Sequence, residues 1–169
     1  MRSLIVAILV LAAAAILAVP AFASHRGDLW ATVNICDTVD FPNTIGIRAS
    51  MPGNERRPRQ RMYVRFRVQW FSRDEQRWHN LADARSDWIK LGSARFESRQ
   101  DGYSFELGPT AGGSFVVRGV VDFKWRDRRH RRGKVRWVTV RKERENTRSG
   151  HSSQSGDPPG YSSGLCEIF

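Results

Sequence analysis

The chain predicts an all-β fold, an antiparallel β-sandwich of roughly seven to nine strands. Three observations carry this. Apolar and polar residues alternate with period two in several runs, most clearly from Arg61 to Trp70. Gly, Pro, Asn and Asp clusters separate those runs at short intervals. No stretch beyond the N-terminal leader has apolar residues at the helical spacing.

The leader is residues 1–23. Arg2 supplies one positive charge, Leu4 to Val19 is an unbroken apolar run, and Pro20 breaks it. Ala21 and Ala23 then put small residues where a signal peptidase reads them, so cleavage after Ala23 is expected. The run is shorter than the roughly 20 residues that span a bilayer. No second apolar run follows and no Cys sits beside Ala23, so the expected mature chain is secreted, extracellular and without a transmembrane segment. The expected organisation is a cleaved signal at 1–23 and a single β-sandwich domain at 24–169.

Along the mature chain, Ala31 to Ile35 is the first candidate strand. In the second, Ile45, Ile47, Ala49 and Met51 alternate with Thr44, Gly46, Arg48 and Ser50. Pro52-Gly53-Asn54 turns the chain. In Arg61 to Trp70 the residues Met62, Val64, Phe66, Val68 and Trp70 point one way, and Tyr63, Arg65 and Arg67 the other. Leu81 to Arg85 reads as a short turn of helix, and Trp88, Ile89 and Leu91 as buried. Tyr103, Phe105 and Leu107 form another alternating run. Asp101-Gly102, Gly108-Pro109 and Gly112-Gly113 are turn signals. From Ser114 to Arg126, Phe115, Val117, Gly119, Val121, Phe123 and Trp125 face inward, with a bulge or bend expected near Gly119. Val135 to Val140 changes phase between Trp137 and Val138, which predicts a second bulge. The segment 143–160 is polar and rich in Ser and Gly, and reads as a mobile loop. Trp70, Trp125 and Trp137 read as core.

The two long strands, each ending near a Trp, resemble the central pair of an immunoglobulin-like or fibronectin type III-like domain. Met62-Tyr63-Val64-Arg65-Phe66 and Phe115-Val116-Val117-Arg118-Gly119-Val120 carry the likeness. The cysteines are not on those strands, and Phe115 stands where a tyrosine corner needs a hydroxyl. The leader, the Arg bias and the terminal cysteine pair are similar to those of small secreted actinobacterial proteins, a likeness that implies no activity.

The chain has two cysteines, Cys36 and Cys166. In an oxidising compartment one internal disulfide is the expected state, with an intermolecular bridge or free thiols as alternatives. The signal for catalysis is weak. Gly160-Tyr161-Ser162-Ser163-Gly164 matches the spacing of a nucleophile elbow, but no His follows it to act as base. His25, His79, His130 and His151 lack metal-ligand spacing. No metal, cofactor or catalytic residue is expected.

Charge is the stronger signal. The net charge is +11, or +10 without the leader, and all but four of its basic residues are arginine. Between Arg126 and Arg136 lie Arg126, Arg128, Arg129, Arg131, Arg132, Lys134 and Arg136, against Asp127 alone. This reads as a hairpin tip with Gly133 near the turn. A second cluster is Arg56, Arg57, Arg59 and Arg61. If the two long strands are neighbours, Arg65, Arg67, Arg118 and Lys124 share one face with Asp122. One reading is a solvated, charge-protected hairpin edge. The other is an anion-binding surface, since Arg forks match phosphate and carboxylate oxygens. Secretion points away from nucleic acid, toward an anionic envelope polymer, anionic lipid headgroups or an acidic protein. The functional expectation is a monomeric, non-enzymatic binding or structural module. The alternatives are an envelope hydrolase whose site assembles from distant residues, or an inhibitor domain that binds a protein partner.

Overall fold

Alternation places one apolar row on each of two sheets, and burying those rows against each other makes the core. The computed structural model describes residues 29–108 and 113–169. The expected leader, His25 and the Pro109 and Gly112 turn positions lie outside the described residues. Among the described residues nine strands form two antiparallel sheets. They are β1 (Trp30–Cys36), β2 (Thr44–Pro52), β3 (Arg61–Ser72), β4 (Arg77–Arg85), β5 (Ile89–Ser93), β6 (Ser98–Glu106), β7 (Phe115–Arg131), β8 (Lys134–Asn146) and β9 (Cys166–Ile168). The smaller sheet runs β1-β2-β6. The larger runs β4-β3-β7-β8, with β5 also on β3 and β9 also on β7.

The inward residues of β3 and β7 meet those of β1 and β2. Val33, Ile45, Ile47, Met62, Phe66, Val121 and Phe123 are almost fully buried. Trp125 is buried too, and its indole N–H donates to the Pro52 carbonyl at 3.2 Å, so its polar atom carries no desolvation debt. Cys36 and Cys166 form a disulfide, with Cα atoms 5.4 Å apart. It ties the end of β1 to the start of β9.

Several expectations are corrected. Leu81 to Arg85 is the end of β4, not helix. Between Arg67 and Gln69 the register shifts, so that Leu81 to Ala84 bulge opposite Val68, with Asp83 at φ +61°. A bulged strand loses its alternation, which is why the sequence reads otherwise. No register shift occurs at Gly119. A Cβ there would come within 2.6 Å of Thr147 Cγ2 and 2.8 Å of Ile47 Cδ1, so glycine is required by close packing. The β7–β8 irregularity lies between Trp125 and Arg126, where Val140 is the extra residue on β8.

The stretch from 143 begins as strand, because β8 runs to Asn146. The chain after it is pinned along the edge of β1. Arg148 N donates to Ala31 O at 2.8 Å and Asp157 N to Asn34 O at 2.8 Å, while Val33 and Ser163 exchange bonds of 2.9 and 3.0 Å. Thr147 locks the strand end. Its Oγ1 accepts from Gly119 N at 3.0 Å and donates to Gly164 O at 2.6 Å. This segment covers an edge that would otherwise present open backbone groups.

Candidate anion-binding surface

The outward faces of β3, β7 and β8 gather the basic residues, but they hold them in two different ways. In register, Arg65 lies opposite Asp122, Tyr63 opposite Lys124 and Gln69 opposite Arg118. On the other side of β7, Arg144 lies opposite Asp122. Asp122 is buried, and three guanidinium groups close on it. Arg65 Nη2 donates at 2.9 Å, Arg67 Nη2 at 3.2 Å and Arg144 Nε at 2.8 Å. Burial alone pushes the Asp122 carboxyl up. The hydrogen bonds from Arg144 and Arg65 and the charge on Arg67 outweigh it and hold the group below its ordinary value.

Aromatic rings take up much of the remaining charge. Arg118 donates to Gln69 Oε1 at 2.8 and 3.0 Å and lies 4.3 Å from the centroid of Trp78. Lys124 Nζ sits 3.5 Å from the Trp88 centroid, and Arg65 stacks on the same ring at 4.6 Å. Lys124 is held below its ordinary value, first by burial and then by the charges of Arg126, Arg65 and Lys142. Arg126 donates to the Trp137 carbonyl. Arg61 lies over the Trp137 ring at 3.8 Å. Trp137 is therefore not core. The Val140 bulge turns it onto the outer face, where it is half-buried beneath Arg61. Trp125 is in the core, and Trp70 is partly buried against the core cluster.

The hairpin tip is arranged differently. β7 and β8 run on past the ends of β3 and pair down to Arg131 and Lys134. Arg132 (φ +49°) and Gly133 (φ +70°) make the two-residue turn, with the left-handed pair that a type I′ hairpin needs. Arg128, Arg129, Arg131, Arg132, Lys134 and Arg136 are all exposed. Among the described residues, none of the six side-chain cations has a carboxylate oxygen within 4.0 Å, although the Arg128 backbone N donates to Asp127 at 2.8 Å. The one acid in the run is taken elsewhere. Asp127 accepts from Arg57 at 3.0 Å, which joins the base of the hairpin to the second basic cluster.

The structure thus separates the sequence-predicted residues. Arg65 and Arg67 are brought together and paired with Asp122, Arg118 is bonded to Gln69 and stacked on Trp78, Arg126 is bound to backbone, and the six tip side chains have no carboxylate within 4.0 Å. Arg144, Trp78 and Trp88 complete the outer face, and no pattern within their own segments flags them. The elbow-like serine, Ser162, is tied into the fold by hydrogen bonds. Ser162 Oγ lies 2.7 Å from Thr32 Oγ1 and accepts from the backbone N of His151 at 3.0 Å. The His151 ring stacks on Trp30 at 4.3 Å. Of the remaining histidines, His79 and His130 lie in strands β4 and β7.

Comparison with protein-family models, with curated proteins and with solved structures finds no match to this chain. Among the described residues no helix is long and apolar enough to cross a membrane.

Proposed function

We propose that this chain is a secreted, non-enzymatic, immunoglobulin-like β-sandwich that binds an anionic partner at the cell envelope through the β7–β8 hairpin tip. The observation that carries the reading is the contrast on one sheet. Arg65, Arg67, Arg118, Lys124, Arg126 and Arg144 on the body of the face each have an acid, a carbonyl or an aromatic ring to answer them, while the tip gathers six side-chain cations without a carboxylate within 4.0 Å. Like charges close together on a strand pair oppose folding, and a bound anion relieves that. The central placement of β3 and β7 supports the immunoglobulin-like reading, and the disulfide agrees with an oxidising compartment.

The test is retention on an anionic matrix across a salt series. A variant neutralised to Gln at Arg128, Arg129, Arg131 and Arg132 is expected to elute at clearly lower salt than the parent. Equal elution of the two proteins, both folded, overturns the role of the tip.

A further inference from the structure

We infer that the hairpin takes a linear, phosphate-type polyanion, and takes it on one face of the tip. This rests on the anion-binding reading above and names its ligand class. The β7–β8 register sets Arg129 opposite Arg136 and Arg131 opposite Lys134. Directly opposed residues share a face, as do residues two apart along a strand. Four cations therefore form two rungs on one side of the hairpin. Within a rung the Cα atoms stand about 4.5–5.5 Å apart, and the rungs about 6.8 Å apart. Arg132 closes the far end at the turn, and a concavity is lined by Arg131, Arg132, Lys134 and Arg136.

The ladder selects its ligand by shape. Each rung offers two cationic side chains to one position; an internal phosphate of a chain carries one negative charge, as a carboxylate does, but its tetrahedral oxygens diverge where a carboxylate's two oxygens lie in one plane. A phosphate-type group spreads its charge over several oxygens and reaches both side chains of a rung. Four of the five cations are Arg, whose planar forks bind such oxygens in pairs. Two rungs in line call for at least two such groups in line, so the ligand is a chain rather than a lone anion. The other side of the hairpin argues against a bilayer. A membrane-seated element needs apolar side chains among its cations. Here the 43%-exposed Val135 and half-buried Trp137 stand opposite His130 and Arg128, on the reverse face from the ladder. On the ladder face the two rungs nearest the turn are cationic, and the pair beyond them is Asp127 opposite the 42%-exposed Val138, an acid beside one apolar side chain.

The experiment uses the full mature chain and four probes: inorganic phosphate, long linear polyphosphate at equal total phosphate, polyglutamate at equal total charge, and phosphatidylglycerol vesicles. Long polyphosphate is expected to bind about a hundredfold more tightly than inorganic phosphate, because the second rung engages an already tethered group. It is also expected to bind more tightly than polyglutamate. Arg129→Gln with Arg136→Gln, which deletes one rung, is expected to remove most of that gain, while Arg73→Gln with Arg95→Gln, which removes the same charge from exposed positions outside the hairpin, leaves most of it. Circular dichroism and thermal melting check that each variant is folded. Equal binding of phosphate and polyphosphate, equal binding of polyglutamate, or vesicle binding that exceeds polyphosphate binding each overturns the inference. In those cases matrix retention that still depends on the tip leaves the broader reading standing. If retention does not depend on the tip, that reading fails as well.

Discussion

Replacing Asp122 by Asn tests the electrostatic account of the large sheet most directly. The carboxylate is buried and answers Arg65, Arg67 and Arg144 at once. Neutralising it leaves those guanidinium groups facing one another without a counter-charge. Breaking a buried pair in this way costs about 3–5 kcal/mol. The partners here are not equally buried. The Arg67 side chain is 14% exposed and that of Arg65 25%, whereas Arg144 is 63% exposed and its share is screened. Allowing for that exposure, the expected loss is about 2–4 kcal/mol, with a fall in melting temperature of roughly 5–15 °C. The sign of the pH dependence follows. The carboxyl is held below its ordinary value in the folded state, so its contribution is fully present above about pH 4 and is lost as pH falls through the folded pKa. Equilibrium urea unfolding, followed by tryptophan fluorescence from neutral pH downward, reads both quantities. The parent is expected to lose stability more steeply below pH 4 than Asp122→Asn. A loss under about 0.5 kcal/mol at neutral pH, which is the range of an ordinary surface change, refutes the reasoning. So does a variant whose stability falls as steeply as the parent's in acid.

Other consequences are checked by the same unfolding measurement or a simple companion. Replacing Cys36 and Cys166 together by Ser reopens a loop with a sequence separation of 130, and is expected to cost about 4–5 kcal/mol in the chain-entropy account. Gly119→Val drives a side chain into Thr147 and Ile47 and is expected to destabilise by at least about 1–3 kcal/mol, with slower refolding yield as a second readout. Thr147→Val deletes the bonds to Gly119 N and Gly164 O at nearly constant shape, and about 1–3 kcal/mol should be lost as buried groups go unpaired. Arg129→Gln with Arg136→Gln is expected to leave stability unchanged or raise it by a few tenths of a kcal/mol at low salt, since it removes a like-charge cross-strand pair. A clear loss of stability there would mean that those side chains pack against the fold.

Much of the architecture was legible in the residues because a sheet with one buried face writes itself as alternation. Met62 to Val68 and Val117 to Trp125 could be oriented before any strand pairing was known, and both rows are core. Legibility ended where alternation ended. The polar residues Ser98 to Gly102 belong to β6, an edge strand with little to bury there, and they gave no apolar signal. Leu81 to Ala84 bulge, and so looked unlike a strand. Trp137 faces outward, against its expected core placement, because one extra residue, Val140, flips every side chain beyond it. The basic residues were countable, but their partners were not. Asp122 and Arg144 are 22 positions apart, and only the β7–β8 register makes them neighbours.

The sequence by itself determined the fold class, the inward rows, the hairpin turn near Gly133 and the density of charge at the tip. Each of these is a local property: a period of two, a residue that tolerates positive φ, a run of like side chains. Only the tertiary structure decided which charges are spent. Whether an arginine is answered depends on strand register and on the rings beneath it, and these are set by packing across long separations. That is why Arg65 and Arg67, prominent in the sequence, prove to be paired with Asp122, and Arg118 to be held by Gln69 and Trp78. The same packing leaves the Arg129–Arg136 and Arg131–Lys134 rungs beyond the end of β3, where the described protein supplies no carboxylate to meet them.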